Sequence, residues 1–245
     1  MTEDHFGEEV AARYDEASAA MFAPEVVEPV VDVLADLAGD GAALEFGIGT
    51  GRIAIPLAAR GVRVHGIDLS EAMLARLRAK PGAANIGVTV GDFATTRVDA
   101  TFLLAYLVFN TIGNLTSQAD QVACFENVAR HLEPGGCFVI EVGVPALQRL
   151  PYGQTHALFD ASETHVGIDE YDVVEQRLVS HHYSRTADGT FAFGSIPLRY
   201  VWPSELDLMA RIAGMSLRER WGDWTREPFT RFSTKHVSVW EKPAT

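Results

Sequence analysis

Apolar and polar positions keep one rhythm from residue 42 to residue 143 and another from residue 144 to residue 202. In the first stretch, short apolar runs at residues 42–46, 62–68, 86–90, 102–109 and 137–142 alternate with segments whose apolar residues recur every three or four positions. That order predicts a mostly parallel sheet with helices between its strands. The run at 102–109 is nearly unbroken in apolar residues, which predicts a central strand buried on both faces. Helices are predicted at 52–60, 71–80 and 118–132. Pro56 lies near the start of the first, where it is tolerated at the cost of a bend. Ser70 is placed to cap the second, and Pro81-Gly82 to stop it. Ahead of the sheet, residues 7–14 read as a short polar helix and 26–37 as a packing helix, with Val27, Val30, Val31, Leu34 and Leu37 on one face. Tyr14 and Asp15 fall between these two.

In the second stretch the alternation of strand and helix stops. Residues 173–183 and 190–202 are extended runs joined by Asp188-Gly189, a hairpin signal of the two-residue type. If that turn closes without a bulge, paired positions sum to 377. Arg177, His181, Tyr183, Tyr200 and Trp202 then share one face, and His182 and Arg199 the other. A face that mixes His, Tyr, Arg and Trp suits a pocket wall, and equally a dimer contact or a half-buried sheet. A helix from Pro203-Ser204 to Ala213 and strands at 217–224 and 236–242 complete the chain.

The chemistry concentrates where the first strand ends. Glu45-Phe46-Gly47-Ile48-Gly49-Thr50-Gly51-Arg52 is an acid followed by three alternating glycines, at a strand-to-helix turn. Such a loop leaves no Cβ between backbone and ligand. The helix that follows has amides near Thr50 to Arg52 without intrahelical partners, suited to a carboxylate-bearing ligand. Asp68 ends the second strand, 17 residues after Gly51, and its carboxylate can accept from two vicinal ribose hydroxyls. A dinucleotide fingerprint requires its third glycine where this chain has Arg52.

The Glu45-x-Gly47-x-Gly49-x-Gly51 pattern resembles motif I of the class I S-adenosylmethionine-dependent methyltransferases, and Asp68 resembles the acid that family carries at the end of its second strand. Leu132-Glu133-Pro134-Gly135-Gly136 is similar to the turn that precedes the family's fifth strand. The resemblance covers residues 43–143 well and the two ends more weakly. It implies a Rossmann-like three-layer sandwich, a seven-stranded, mostly parallel sheet with its last strand antiparallel, with the hairpin inserted after strand five. It implies one domain, divided into a lid region (1–40), a cofactor-binding core (41–143), a substrate-side insertion (144–203) and a final helix and strands (204–245).

For the site, the resemblance implies that S-adenosylmethionine binds at Glu45, Gly47, Gly49, Gly51, Arg52, Asp68 and Leu69, leaving S-adenosylhomocysteine as product. Asp92 and Phe93 are placed to receive the adenine, by accepting from its amine and walling it. Met73 reads as core or as an adenine contact. Tyr14 is a lid residue or part of an ordinary turn. Strand ends in open α/β sheets bind ligands, so Tyr106, Phe109 and Asn110 fall on the substrate side, Phe109 being a cofactor contact as well, together with Tyr183, Tyr200 and Trp202. His181, His182 and Tyr14 are the candidates for a general base or for orienting a nucleophile. The expected reaction moves a methyl group to nitrogen or oxygen, less readily carbon, of a small molecule, and in type the chain resembles bacterial small-molecule methyltransferases. A nicotinamide-dependent oxidoreductase and a non-catalytic cofactor-binding protein are the competing readings.

Composition narrows the partners. Apolar residues make up 47% of the 245-residue chain, enough for a sizeable core. A net charge of -13 without a basic stripe argues against a nucleic-acid substrate. Cys124 and Cys137 form neither a disulfide framework nor a metal cluster, so no metal is expected and a cytoplasmic setting is. Residues 1–5 are acidic and polar where a signal peptide is basic, and no apolar run approaches the ~20 residues of a membrane span.

Overall fold

The computed structural model describes residues 6–186 and 188–244. The N-terminal residues 1–5, which bear on the signal-peptide expectation, lie outside the described residues. Along the chain, α1 (Glu8–Ala17) and α2 (Pro24–Ala38) lead into β1 (Ala42–Phe46), α3 (Ala54–Ala59), β2 (Arg63–Asp68), α4 (Glu71–Arg78) and β3 (Gly87–Val90). Then follow β4 (Phe102–Leu107), α5 (Gln118–His131) and β5 (Leu132–Gly143), and four consecutive strands, β6 (His156–Ala161), β7 (His165–Asp172), β8 (Arg177–Arg185) and β9 (Phe191–Arg199). The chain closes with α6 (Pro203–Ile212), β10 (Ser216–Trp221) and β11 (Lys235–Glu241).

Seven strands form one sheet in the order β10-β11-β5-β4-β1-β2-β3. It is parallel except at β11, which runs against both β5 and β10. This is the expected seven-stranded, mostly parallel sheet. Side chains alternate between its faces, so each inner strand feeds two separate cores. Ala43, Leu104, Tyr106 and Val139 pack on one side with Val30 and Leu34 of α2 and Leu74 and Leu77 of α4. Leu44, Phe46, Leu107, Phe138 and Ile140 pack on the other with Phe125 of α5, Met209 of α6 and Trp240. Phe102–Leu107 is buried at five of its six positions, as the unbroken apolar run predicts.

The insertion is larger than a hairpin. β6, β7, β8 and β9 make a second, antiparallel four-stranded sheet. Its β8–β9 register also differs from the expectation by one residue: Arg177 pairs with Arg199, so positions sum to 376, not 377. The loop explains this. Thr186 N donates to Thr190 O, Gly189 N donates to Thr186 O, and Gly189 sits at φ +85°. The Asp188 carboxylate accepts from the hydroxyls of both Thr186 and Thr190. Those side-chain bonds favour a loop one residue longer than the two-residue turn, with a left-handed glycine at its end. A one-residue slip exchanges faces. In the observed register Leu178, Ser180 and His182 face one way with Ile196 and Leu198, while Arg177, His181 and Tyr183 face the other.

A buried ion pair joins the two sheets. Arg199, at the end of β9, donates to Glu205 of α6 at 2.8 Å and to Gln121 of α5 at 2.6 Å. Gln121 in turn donates to the carbonyl of Arg199. Both ends of that arginine are therefore tied to the layer formed by α5 and α6.

The helices differ in their limits. α1 runs on through Tyr14 and Asp15, which therefore lie within it and not between helices. α3 begins only at Ala54 and has six residues, so the Thr50–Arg52 amides belong to the loop and not to a helix N-terminus.

His236, in β11, is fully buried. Its Nδ1 bonds the Ser238 hydroxyl at 2.8 Å, its Nε2 has no hydrogen-bond partner, and the Phe229 ring lies edge-on at 5.5 Å. Burial, reinforced by Arg220, pushes its pKa from 6.5 down to about 4. The unfolded chain therefore binds a proton there that the native protein refuses, and stability falls as pH drops from 6.5 through about 4. At pH 5 this costs roughly 2 kcal/mol. Denaturant titrations at pH 7 and pH 5 are expected to lose about that much less stability in His236→Gln than in the unaltered protein. An identical acid loss in both proteins would place the sensitivity elsewhere.

Candidate active site

The chain order of the sheet reverses between β1 and β4, and open α/β sheets bind ligands in the crevice at that point. Both strands end there in chemistry. The β1–β4 register sets Glu45 opposite Tyr106, and the Tyr106 hydroxyl donates to Glu45 Oε2 at 2.9 Å. Glu45 is 3% exposed. Burial raises its pKa to about 8, opposed by the Tyr106 bond and by the Arg52 charge. A carboxyl this costly to ionise sits beside the glycine loop and next to a cation.

The loop itself depends on its glycines. Gly47, Gly49 and Gly51 all have positive φ, and a Cβ on Gly47 would stand 2.7 Å from the Thr111 methyl. Asp68 orients the loop from the next strand: its Oδ2 accepts from Gly49 N at 2.7 Å and its Oδ1 from Ser70 N at 2.9 Å. Leu69 is half-buried beside it. Met73 is buried, and its methyl lies 3.4 Å from where a Gly49 Cβ would be, so it packs under the loop. Phe93 is likewise buried, edge-on to Phe46 at 6.4 Å. Asp92 Oδ1 accepts from Ala94 N at 2.9 Å, holding the turn after β3.

α1 lies over this crevice. Asp15 accepts from the buried Thr50 hydroxyl at 2.6 Å and pairs with Lys80, which also donates to Thr50 O at 2.8 Å. Ser70 Oγ donates to Phe6 O at 2.7 Å. One turn of helix is thereby pinned onto the glycine loop, and Tyr14 is brought to its rim. Burial raises the Tyr14 pKa, so its hydroxyl keeps its proton.

After β4 the chain bends sharply. Phe109 and Asn110 both take φ +59°, a region that costs non-glycine residues of order 1–3 kcal/mol each unless neighbours impose it. Glu141 of β5 imposes it, its carboxylate accepting from Phe109 N and its carbonyl from Asn110 N, both at 3.2 Å. Asn110 Oδ1 accepts from Gly143 N at 2.6 Å. The bend puts the Phe109 ring under the Arg52 guanidinium, 4.9 Å away.

Two cavities meet at Tyr14 and Phe109. A small one of about 40 Å³ runs along Glu45, Gly47, Gly49 and Arg52. A large one of about 630 Å³ lies between the two sheets, walled by Asn110, Tyr171, Leu178, His182, Leu198 and Tyr200 among others.

The Methyltransferase domain family model matches residues 43–136. The solved CcbJ methyltransferase of Streptomyces caelestis is 36% identical, with a TM-score of 0.87 over 98% of both chains. This chain belongs to the S-adenosylmethionine-dependent methyltransferases. The methyltransferase is also 28% identical to the cypemycin N-terminal methyltransferase of a Streptomyces species, over 81% of its length and 82% of that protein's. It shares its fold with an amino pentose methyltransferase of calicheamicin biosynthesis from Micromonospora echinaspora, solved with bound S-adenosylmethionine, at 21% identity and a TM-score of 0.70 over 94% and 96% of the two chains. These relatives lend nothing to the nicotinamide-dependent reading.

Of the methyltransferase's expected site residues, the fold brings Tyr14, Asn110, Tyr200 and His182 to the large cavity, and Tyr14, Glu45, Gly47, Gly49, Arg52 and Phe109 to the small one. Tyr106, His181, Tyr183 and Trp202 are corrected: Tyr106 is fully buried, bonded to Glu45 and absent from both cavity walls. His181 faces away from the large cavity, bonded to Glu170 at 3.3 Å and stacked on Phe193. Tyr183 is exposed beside the same Phe193. Trp202 is the extended residue just before α6 and lines neither cavity. The register slip accounts for His181 and Tyr183. Asp169, Tyr171 and Ser180 also line the cavity: the first two lie on β7, whose mixed polar and apolar residues no period distinguishes from loop, and Ser180 lies on the expected strand β8, on the face that carries His182. Glu141 was missed, since nothing local marks a strand acid as the brace of a neighbouring bend. Among the described residues no helix is long and apolar enough to cross a membrane.

Glu45 has a testable cost. Its folded pKa lies above its value of 4.5, so its contribution to stability is present below pH 4.5 and lost as pH rises through about 8. Without cofactor, Glu45→Gln is therefore expected to melt above the unaltered protein at pH 8, by an amount corresponding to a few kcal/mol, and to lose that advantage near pH 5. The same variant is expected to bind S-adenosylmethionine about tenfold or more weakly. Equal cofactor affinity in calorimetry would remove Glu45 from the cofactor site.

Proposed function

We propose that this methyltransferase transfers the methyl group of S-adenosylmethionine to an amine nitrogen of a small molecule. The observation that carries the reading is the large cavity: mostly apolar and aromatic walls with the Asp169 carboxyl, the His182 imidazole and Arg199, whose charge is already paired with Glu205, opening beside the glycine loop at Tyr14 and Phe109. Aromatic faces and a carboxylate attract an ammonium group. Burial raises the Asp169 pKa and lowers that of His182, so a cation that settles between them offsets the cost of the Asp169 charge while the imidazole adds no opposing charge. The names of two relatives, an N-terminal methyltransferase and an amino pentose methyltransferase, support nitrogen as acceptor.

The cofactor cradle fits the expected group. Glu45, a buried carboxyl that a bound cation would help to ionise, and the Arg52 cation lie together at the small cavity and complement the ammonium and carboxylate of a methionine moiety. Asp68, at the end of β2, would take the ribose hydroxyls, and Asp92 with Phe93 the adenine. Bound there, S-adenosylmethionine supplies an electrophilic methyl carbon with a neutral thioether as leaving group. The protein's own task is alignment and proton removal. Tyr14 and Phe109 form the edge shared by both cavities, so they position an acceptor against the cofactor end. Such alignment can lower a barrier by ~7 kcal/mol or more. An amine must lose its proton before it attacks, and His182, neutral at physiological pH, is the group in the cavity suited to take it.

Calorimetric titration with S-adenosylmethionine, S-adenosylhomocysteine and NAD, followed by turnover on a panel of primary and secondary amines and matched alcohols, tests this reading. Both sulfur nucleosides are expected to bind and NAD not to, with Asp68→Ala weakening binding about tenfold or more. Methylated product is expected from amines, detected by mass. Turnover of alcohols alone would make the enzyme an O-methyltransferase, and binding without turnover of any acceptor would favour a non-catalytic role.

A further inference from the structure

The antiparallel register of the second sheet builds a row of polar side chains on its cavity face. Asp169 lies directly opposite Ser180, and Gly167 opposite His182. Asp160 of β6 is also opposite Gly167, and His165 is two residues along the same strand, on the same face. These side chains are bonded in sequence. Asp160 Oδ2 lies 2.6 Å from His165 Nδ1, His165 Nε2 lies 3.0 Å from His182 Nδ1, and His182 Nε2 lies 3.2 Å from Ser180 Oγ. Ser180 is also hydrogen-bonded to the Asp169 carboxyl, which accepts from the Tyr171 hydroxyl.

With both imidazoles neutral, one arrangement of protons satisfies the outer part of this row. A carboxylate is acceptor-only, so Asp160 requires a proton on His165 Nδ1. A neutral imidazole carries one proton, so His165 Nε2 is an acceptor and His182 must carry its own proton on Nδ1. His182 Nε2 is then left with its lone pair directed at Ser180 and the cavity, and the one hydroxyl proton of Ser180 has two acceptors to choose between, His182 Nε2 and the Asp169 carboxylate. The Phe159 ring covers the two imidazoles, 6.2 Å from His165 and 5.5 Å from His182. Gly167 makes this possible: a Cβ there would stand 2.2 Å from the Phe159 ring. The array is thus shielded on one side and anchored at the surface, where Asp160 is 45% exposed.

We infer that Asp160 and His165 are positioning residues that fix His182 as a proton acceptor at Nε2, with the Ser180 hydroxyl as the link to the substrate amine. The inference rests on the N-methylation reading above. In the step, an N–H bond of the substrate ammonium breaks as Ser180 takes that proton and passes its own to His182 Nε2. The amine keeps the electron pair with which it attacks the methyl carbon. His182 becomes an imidazolium, whose Nδ1–H donates to His165, whose Nδ1–H donates to the Asp160 carboxylate. The added charge is compensated at the far end of the array, as the aspartate of a Ser-His-Asp triad stabilises its imidazolium. Nothing is oxidised or reduced.

The test uses the full chain labelled with ¹⁵N-histidine and needs no ligand. Long-range ¹⁵N–¹H spectra above the titration of the histidines are expected to show His165 and His182 as Nδ1–H tautomers. In His165→Phe the His182 signal is expected to move to the Nε2–H form common in water. Asp160→Asn, a conservative change at an exposed position, is expected to disturb His182 across the intervening ring. Finding His182 as Nε2–H in the unaltered protein, or unmoved in both variants, overturns the array even where amine methylation has been established. On an amine that the panel identifies as acceptor, His165→Phe is expected to lower kcat about tenfold or more while KM stays within about twofold. An unchanged kcat with the tautomer shift present would make the array a structural one without a part in the reaction. Failure of every amine with the tautomers as expected would overturn the nitrogen reading and with it this catalytic role.

Discussion

The adjacency of β1 and β4 in parallel register is the constraint from which the site follows. It reverses the strand order, so the helices leaving the two strands diverge and no connection of the core covers the crevice between them. It also sets Glu45 opposite Tyr106, which forces a carboxyl and a phenol to share a buried bond beneath the loop. The crevice must be closed by pieces from outside the core. One is α1, pinned at Thr50 through Asp15 and Lys80. The other is the second sheet, whose inner face supplies the far wall of the large cavity. Each contributes the residues that the core cannot: Tyr14 from the first, Asp169 and His182 from the second.

How the second sheet is held bears on how the cavity keeps its shape. Arg199 is 5% exposed and its partner Glu205 only partly accessible. A buried ion pair is weak evidence for stability, because desolvation offsets much of the attraction. Its geometry is nevertheless restrictive. Glu205 accepts from Arg199, Gln176 and Gln118, and Gln121 binds Arg199 through both side chain and backbone. Sliding the sheet by one residue would leave several of these groups buried and unpaired, which costs far more than the pair itself contributes. The network therefore selects one docking of the insertion over others.

The cofactor half was legible because its signals are local. Gly47, Gly49 and Gly51 are needed where φ is positive, and Asp68 follows at the end of the next strand, so residue type alone reports backbone conformation and position. Glu45 was legible as a motif residue, yet the opposing tyrosine could be assigned only once the register was known. The substrate half was illegible for the complementary reason. Whether His181 or His182 faces the cavity depends on a single residue of register, and that register depends on Asp188 accepting from two threonine hydroxyls in preference to forming the tighter turn. β7 mixes polar and apolar residues without a clean alternation, so His165, Gly167, Asp169 and Tyr171 look like loop until their partners on β8 are known. Long-range pairing decides these faces, and a single sequence carries no direct record of it.

The site concentrates what the rest of the fold avoids. Glu45 is buried and reluctant to ionise, Asp169 is a carboxyl held away from water, and Phe109 and Asn110 occupy a backbone region that disfavours side chains. Arg199 and Gln121 are matched to partners within their network, whereas Glu45 and Asp169 border open volume. Such features persist because surrounding structure over-determines them, as Glu141 does for the bend. Their physical meaning is that the free protein holds its ligand-facing groups in states a ligand would improve: a cation beside Glu45 lowers the cost of its charge, and an ammonium does the same for Asp169. Binding energy gained in this way is spent at the two cavities' shared edge, between Tyr14 and Phe109. On the proposed reading, that edge is where a methyl donor and its acceptor have to be brought into line.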